Sequence, residues 1–199
     1  MSMSVKDALV VLRDARRDED VVVTTMGAAR EWMALGSHPL DLVFVPSSMG
    51  QATSVGLGLA LAQPQRRVIV CNGDGSMLMN LGSLVSITAA APANLIVILF
   101  DNGIYEVTGS QPTPGAPAGR AEAGAVDFTL MARACGFRSV FGFLDCTTWT
   151  DEVGRVLAMP GPTFVALDIT AVENSPGPRS PGPAGARAKA FMTSLEGPP

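Results

Sequence analysis

Apolar positions along this chain fall into two kinds of run, spaced and continuous, and the two alternate. Val5, Leu9 and Leu12 recur at helical spacing behind Ser4, with Asp7 three residues on, which predicts a capped helix to about Arg16. Val21 to Val23 is a short β-branched strand, and Met26-Gly27-Ala28 turns the chain into a helix carrying Trp32, Met33 and Leu35. Leu42 to Val45 predicts the next strand, ended by Pro46. Gln51 to Gln63, rich in small residues including Gly56 and Gly58, predicts a buried, tightly packed helix. Arg67 to Cys71 and Asn94 to Phe100 are continuous apolar runs, expected as strands buried on both faces. Between them Asn72-Gly73-Asp74-Gly75-Ser76 predicts a sharp turn, and Leu78 to Ala90 a helix. Ser110 to Gly124 is expected as loop, since Pro112, Pro114 and Pro117 oppose regular structure. Asp127 caps a helix to about Cys135, Ser139 to Phe143 is a strand, Thr147 or Thr148 opens a helix, and Thr163 to Ile169 is the last strand.

This alternation predicts an α/β fold: a doubly wound, mostly parallel sheet with helices on both faces. Residues 1–171 make up that domain. The remainder, 172–199, is a Pro/Gly-rich arm, with four prolines and two glycines between Ser175 and Pro183. It leads to a terminal helix over Ala184 to Leu195, expected to pack on this or a neighbouring subunit.

Composition narrows the function classes. The 199 residues are 47% hydrophobic and 16% charged, with a net charge of −4, so no basic surface suits nucleic acid. A mean hydropathy of +0.30 suggests apolar surface reserved for another chain. Leu95 to Phe100, the longest apolar run, falls far short of the roughly 20 residues a membrane span needs. No signal-peptide core follows Lys6 and Asp7, so a soluble, cytoplasmic protein is expected. Cys71, Cys135 and Cys146 are too scattered for a disulfide framework or a zinc site. His38, the single histidine, is expected in a surface turn, Gly36-Ser37-His38-Pro39.

Ligands of open parallel sheets gather at the carboxyl ends of the strands. Three unusual segments fall there: Ser47-Ser48-Met49-Gly50, Gly73-Asp74-Gly75-Ser76 and Asp101-Asn102-Gly103-Ile104. The Asp74 carboxylate is a hard ligand suited to Mg²⁺, and the flanking glycines leave room for a diphosphate at a helix start. A metal between the two anions would remove their repulsion. An ordinary Asp-Gly turn accounts equally well for that segment taken alone. Asn102 follows 28 positions after Asp74. Its amide oxygen and the Ile104 carbonyl would bring the protein oxygens to three, leaving octahedral positions for phosphate oxygens and a water. No Gly-x-Gly-x-x-Gly follows an early strand, and no Walker loop is present.

Gly73-Asp74-Gly75 followed by Asp101-Asn102 resembles the diphosphate and metal motif of thiamine diphosphate enzymes, over about Thr24 to Ile169. Ser48-Met49-Gly50, Asp101-Asn102-Gly103-Ile104-Tyr105 and Thr108-Gly109-Ser110-Gln111 narrow this to the 2-oxo acid decarboxylases. The strings look like the β subunit of sulfopyruvate decarboxylase and the C-terminal half of phosphonopyruvate decarboxylase. The resemblance implies that Asp74, Asn102 and the Ile104 carbonyl hold Mg²⁺, and that Gly73, Gly75, Ser76, Thr24 and Thr25 lie along the diphosphate. It places the Ser47 carbonyl on the aminopyrimidine, Ser48 beside it, and Met49 beneath the bent cofactor, although core packing is the plain alternative for Met49. Tyr105, Glu106, Thr108 and Gln111 become pocket candidates, a solvated Glu106 being the alternative. Ser47 and Ser110 depart from the family, which often has glycine at both places.

The activating glutamate of such enzymes sits on a separate pyrimidine-binding domain. Glu19 and Glu31, before and within early helices, do not fit that role. The resemblance therefore implies an α subunit that completes the site, in an α/β hetero-oligomer acting on a small molecule. The expected function is the diphosphate- and Mg²⁺-binding subunit of a decarboxylase for a 2-oxo acid such as 3-sulfopyruvate or 3-phosphonopyruvate. The alternatives are a carboligase (acyloin-type synthase) subunit and a non-catalytic regulatory subunit that binds the cofactor. Arg30 and Arg120 are the nearest cations for an anionic head group.

Overall fold

Valine, isoleucine and leucine dominate the central strands because helices cover both faces of the sheet. The computed structural model describes residues 3–45, 49–117, 124–170 and 180–197. Its strands are β1 (Val21–Thr24), β2 (Asp41–Val43), β3 (Val68–Gly73), β4 (Leu95–Asp101), β5 (Ile104–Tyr105), β6 (Gln111–Pro112), β7 (Ser139–Phe143) and β8 (Thr163–Asp168). Six of them form one parallel sheet in the order β2-β1-β3-β4-β8-β7, while β5 and β6 pair antiparallel beside it.

Side chains alternate across the sheet, so one apolar strand feeds two cores. On β4, Ile96, Ile98 and Phe100 face α1 (Val5–Ala15), α2 (Met26–Ala34) and α7 (Cys146–Ala158). Leu95, Val97 and Leu99 face α3 (Ala52–Ala62), α5 (Gly82–Ala90), α6 (Phe128–Ala134) and α8 (Ala184–Leu195). The short α4 (Asp74–Leu78) follows β3 directly and buries Met77 in the second core. Each fully buried aliphatic side chain contributes about 1.5–3 kcal/mol of transfer free energy. Trp149 of α7 is fully buried in the first core, and its indole N–H donates to the Ala8 carbonyl at 3.1 Å.

Local signals hold where they are strong. Ser4 and Asp7 form the reciprocal cap of α1, Asp127 accepts from the Leu130 amide at 2.9 Å to start α6, and β7 and α8 span the predicted residues. α8 packs on this chain: Phe191 is buried and Arg187 donates to the Val43 carbonyl at 2.6 Å.

Six segments differ from expectation. β2 stops at Val43, because Arg187 takes the Val43 and Val45 carbonyls and the Val45 amide turns back onto Val43. Asp74 opens α4 itself instead of sitting in a turn, and the helical run breaks before Gly82, where Asn80 bonds the Gly50 carbonyl. α7 starts at Cys146 because Asp145, not a threonine, accepts from the Thr148 amide at 3.0 Å. α3 buries only one face. A Cβ on Gly56 would lie 2.1 Å from Val70 Cγ2, while Leu61 on the other face is 57% exposed. Within the proline loop, β6 pairs with β5, and Pro112 is tolerated at the end of so short a strand. His38 is half-buried, accepting from the Leu40 amide at 3.2 Å, with Arg16 Nη2 at 3.1 Å from the same ring nitrogen. Residues 172–179, 198 and 199 of the Pro/Gly arm lie outside the described residues. No described helix is long and apolar enough to cross a membrane.

β1 has β2 on one side and β3 on the other, so the chain reverses its winding direction there. Such a switch point opens a crevice at the carboxyl ends of the two strands.

Candidate functional site

The crevice is a narrow cleft, partly open to solvent. Three strand ends feed it: β1 with Thr25 to Gly27, β3 with Gly73 to Ser76, and β4 with Asn102 and Ile104. Met49 enters from the loop before α3, and Tyr105, Glu106 and Thr108 from the β5 segment. Val5, Phe100 and Ile169 supply an apolar floor.

Eleven of the sequence-predicted residues thus meet in one place: Thr25, Met49, the Gly73–Ser76 run, Asn102, Ile104, Tyr105, Glu106 and Thr108. Thr24 does not join them. It is fully buried with its hydroxyl unpaired, because adjacent strand residues point in opposite directions. Gln111 is exposed and bonds Thr108, with its amide oxygen accepting the Thr108 hydroxyl at 3.3 Å. Ser47, Ser48 and Arg120 lie outside the described residues, and Arg30 does not line the cleft.

Local contacts explain the placement. The Ser76 hydroxyl accepts from the Gly50 amide at 2.9 Å, and Asn80 Nδ2 donates to the Gly50 carbonyl at 2.8 Å. Gly50 takes φ +86°, which suits a residue without a Cβ, and the pair of bonds docks Met49 against the cleft. Asn102 Oδ1 accepts from the Ile104 amide at 3.0 Å, closing the turn after β4. A Cβ on Gly75 would lie 2.5 Å from the Tyr105 ring, so only glycine lets that ring pack on α4. Ser110 takes φ +60°, the left-handed conformation glycine favours.

Asp74 is 2% exposed, and burial pushes its carboxyl above the usual range. The Thr113 hydroxyl, 3.0 Å from Asp74 Oδ2, and the amides of Gly75, Asp74 and Asn102 act in the opposite direction. Asp101 is pushed up to about 6, first by burial, then by the Asp74 charge, and further by Asp168, its register partner on β8. The Gly103 amide opposes that shift. Among the described residues no ion pair reaches Asp74 or Asp101, and no lysine or arginine lines the cleft. Asp74, buried, and Asp101, half-buried beside it, have no counter-charge among the described residues, an environment that a divalent cation would relieve.

The donor chemistry suits such a cation. A carboxylate, an amide oxygen and a main-chain carbonyl, from Asp74, Asn102 and Ile104, are hard oxygen ligands of the kind Mg²⁺ takes together with phosphate oxygens. Among the described residues no group of three His, Cys, Asp or Glu side chains gathers at one point. A Cβ on Gly73 would meet nothing within 4 Å, so the entrance to α4 is open for a diphosphate.

Sequence reasoning missed Thr113 and the entry to α2. Thr113 is fully buried against Asp74 from within the proline loop, and no local pattern marks it. Met26 takes φ +53°, rare for a side-chain-bearing residue, where it lines the cleft. Glu106 Oε2 would lie 2.6 Å from a Cβ on Gly27, so that glycine admits the carboxylate to the first turn of α2.

Residues 22–167 match the family model for the C-terminal TPP-binding domain of thiamine pyrophosphate enzymes. The chain is 37% identical over 187 residues to phosphonopyruvate decarboxylase of Streptomyces viridochromogenes, covering 92% of this chain and 45% of that protein. It is 39% identical over 153 residues to sulfopyruvate decarboxylase subunit beta of Methanothermobacter thermautotrophicus, covering 76% of this chain and 75% of that subunit. The chain thus spans less than half of the phosphonopyruvate decarboxylase. A solved structure of a putative thiamin diphosphate-dependent enzyme from Mycobacterium smegmatis superposes with a TM-score of 0.69 at 17% identity. It covers 84% of this chain and 32% of that one, and the likeness extends to the fold alone.

Proposed function

The chain belongs to the thiamine pyrophosphate enzymes, whose C-terminal TPP-binding domain it matches over residues 22–167, and on that premise we propose that it is the diphosphate- and Mg²⁺-binding subunit of a 2-oxo acid decarboxylase. The observation that carries this reading is the convergence of Asp74, Asn102 and Ile104 on one cleft at the switch point of the sheet. Asp74, Asn102 and the Ile104 carbonyl hold Mg²⁺. Gly73, Gly75, Ser76 and Thr25 lie along the diphosphate, and Met49 supports the rings. Bound thiamine diphosphate supplies the electron sink through which a 2-oxo acid loses carbon dioxide. Tyr105, Glu106 and Thr108 face the substrate, and the apolar floor keeps water from it.

The substrate class is a 2-oxo acid with a second anionic group, 3-sulfopyruvate or 3-phosphonopyruvate, on the strength of the named relatives. Such a head group needs cationic donors, and the described lining of the cleft carries none. A partner subunit supplies them, along with the activating glutamate; the relative named subunit beta supports a two-chain enzyme.

The test is to co-express the chain with its genomic neighbour and assay carbon dioxide release from both acids and from pyruvate. The complex is expected to act in a Mg²⁺-dependent way, and this chain alone to be inactive. Asp74→Ala is expected to abolish Mg²⁺-dependent binding of thiamine diphosphate in calorimetry; unchanged affinity overturns the reading.

A further inference from the structure

The three oxygen ligands come from separate strand ends, Asp74 following β3, and Asn102 and Ile104 following β4. One residue outside both segments touches both. Thr113 is fully buried, 39 positions beyond Asp74. Its hydroxyl donates to Asp74 Oδ2 at 3.0 Å. Its amide donates to the Gly103 carbonyl at 2.8 Å, between Asn102 and Ile104. Its own carbonyl accepts from the Ala116 amide at 3.1 Å, which anchors it in a turn. Its methyl stands 3.3 Å from where a Cβ on Gly75 would be, so the side chain is seated on the first turn of α4.

A carboxylate on a free rotor presents its oxygens in several directions, and a metal must then pay the entropy of choosing one. Partners behind the ligands remove that cost, and substituting them typically weakens metal binding 10- to 100-fold. We propose that Thr113 is a positioning residue that braces Asp74 against the Asn102–Ile104 turn and so sets the affinity of the site for Mg²⁺. The proposal rests on the reading of those three residues as ligands. Thr113 also follows β6 directly, so the same brace mounts the β5–β6 hairpin that carries Tyr105 into the cleft.

A purely structural role predicts that packing matters; the brace predicts that the hydroxyl matters. Thr113→Val keeps the shape and the hydrogen bond from its amide to the Gly103 carbonyl but removes the hydroxyl, whereas Thr113→Ser keeps the hydroxyl and removes the methyl. In the complex with its partner chain, Mg²⁺ affinity is measured by calorimetry with thiamine diphosphate present, and the ligand field by electron paramagnetic resonance of Mn²⁺ in place of Mg²⁺. Thr113→Val is expected to weaken Mg²⁺ binding about tenfold or more and to broaden the Mn²⁺ signal, with Thr113→Ser within about threefold of wild type. Wild-type affinity in Thr113→Val, or equal losses in the two variants, overturns the proposal. Should Thr113→Val not fold, Thr113→Ala against Thr113→Ser makes the same comparison, and equal affinities overturn it. Asp74→Ala separates the two levels. If that variant binds Mg²⁺ like wild type, the ligand assignment itself fails; if it loses Mg²⁺ while Thr113→Val does not, only the brace fails.

Discussion

Both rims of the sheet bury acidic side chains, and they treat them in opposite ways. At the amino ends of the strands, Asp20 is fully buried and ion-paired with Arg67, and it also accepts from the Arg17 amide at 2.8 Å. Arg67 in turn donates to the Leu157 carbonyl at 2.7 Å, and Arg16 pairs with Asp41 nearby. The Asn94 amide lies within 3.1 Å of the Ala60, Gln63 and Arg66 carbonyls. At the carboxyl ends, Asp74 and Asp101 receive, among the described residues, a hydroxyl and main-chain amides. The amino-end rim is closed by its own counter-charges, while the carboxyls of the other rim meet none among the described residues. Burial alone does not mark a functional acid. Burial without an opposite charge does.

The comparison is broken or sharpened most by Asp20→Asn. Leaving Arg67 buried and unpaired is expected to cost about 3–5 kcal/mol, read from the denaturation midpoint, with cofactor affinity unchanged in the folded fraction. Adding Arg67→Met is expected to recover most of the loss; a double variant worse than the single would show that the pair is not a closed unit.

Asp74→Asn is expected to behave in reverse. The metal-free chain keeps or gains stability, because a buried carboxylate without a counter-charge is removed. The stabilisation by ligand, about 2.7 kcal/mol at a hundred times the dissociation constant, disappears. A large loss of metal-free stability would make Asp74 the equivalent of Asp20.

The Asp101 carboxyl supplies a pH test. Its affinity for a proton is higher in the folded chain, at about 6 against the ordinary 3.8, so the folded state binds more protons between those values. Its contribution to stability is therefore complete below about pH 4 and is lost as pH rises through 6. The metal-free melting temperature is expected to fall between pH 5 and 7, with a shallower slope in Asp101→Asn. Mg²⁺ held by neighbouring Asp74 should bind more weakly below pH 6, where the Asp101 negative charge is neutralised. A flat profile in the wild type would mean that this rim is charge-balanced after all.

The smallest effect serves as calibration. Asp127→Ala removes the cap of α6, away from both rims, and is expected to cost about 1 kcal/mol with no change in Mg²⁺ affinity.

Much of the fold was legible because its signals are short-ranged. Ser4 with Asp7, Asp127, and the apolar run from Leu95 to Phe100 each act over a few residues, and each forms what its neighbours favour. The three strand-end segments were legible as candidates for the same reason, since glycines beside Asp74 and Asn102 announce unusual backbone wherever they stand. The misses share another cause. β2 is shortened by Arg187, 144 positions after Val43, and the open face of α3 reflects what does not cover it. Thr24 and Thr25 are alike as letters, yet the pleat sends one inward and the other to the cleft.

The sequence by itself determined the alternating elements, the caps, and the oxygen-bearing residues at the strand ends, because each depends on periodicity and neighbours close in the chain. Only the tertiary structure decided which buried acid receives a counter-charge. Arg67 reaches Asp20 across 47 positions, and Thr113 reaches Asp74 across 39. Those meetings follow from the order of the strands in the sheet, which long-range packing sets and no local pattern encodes.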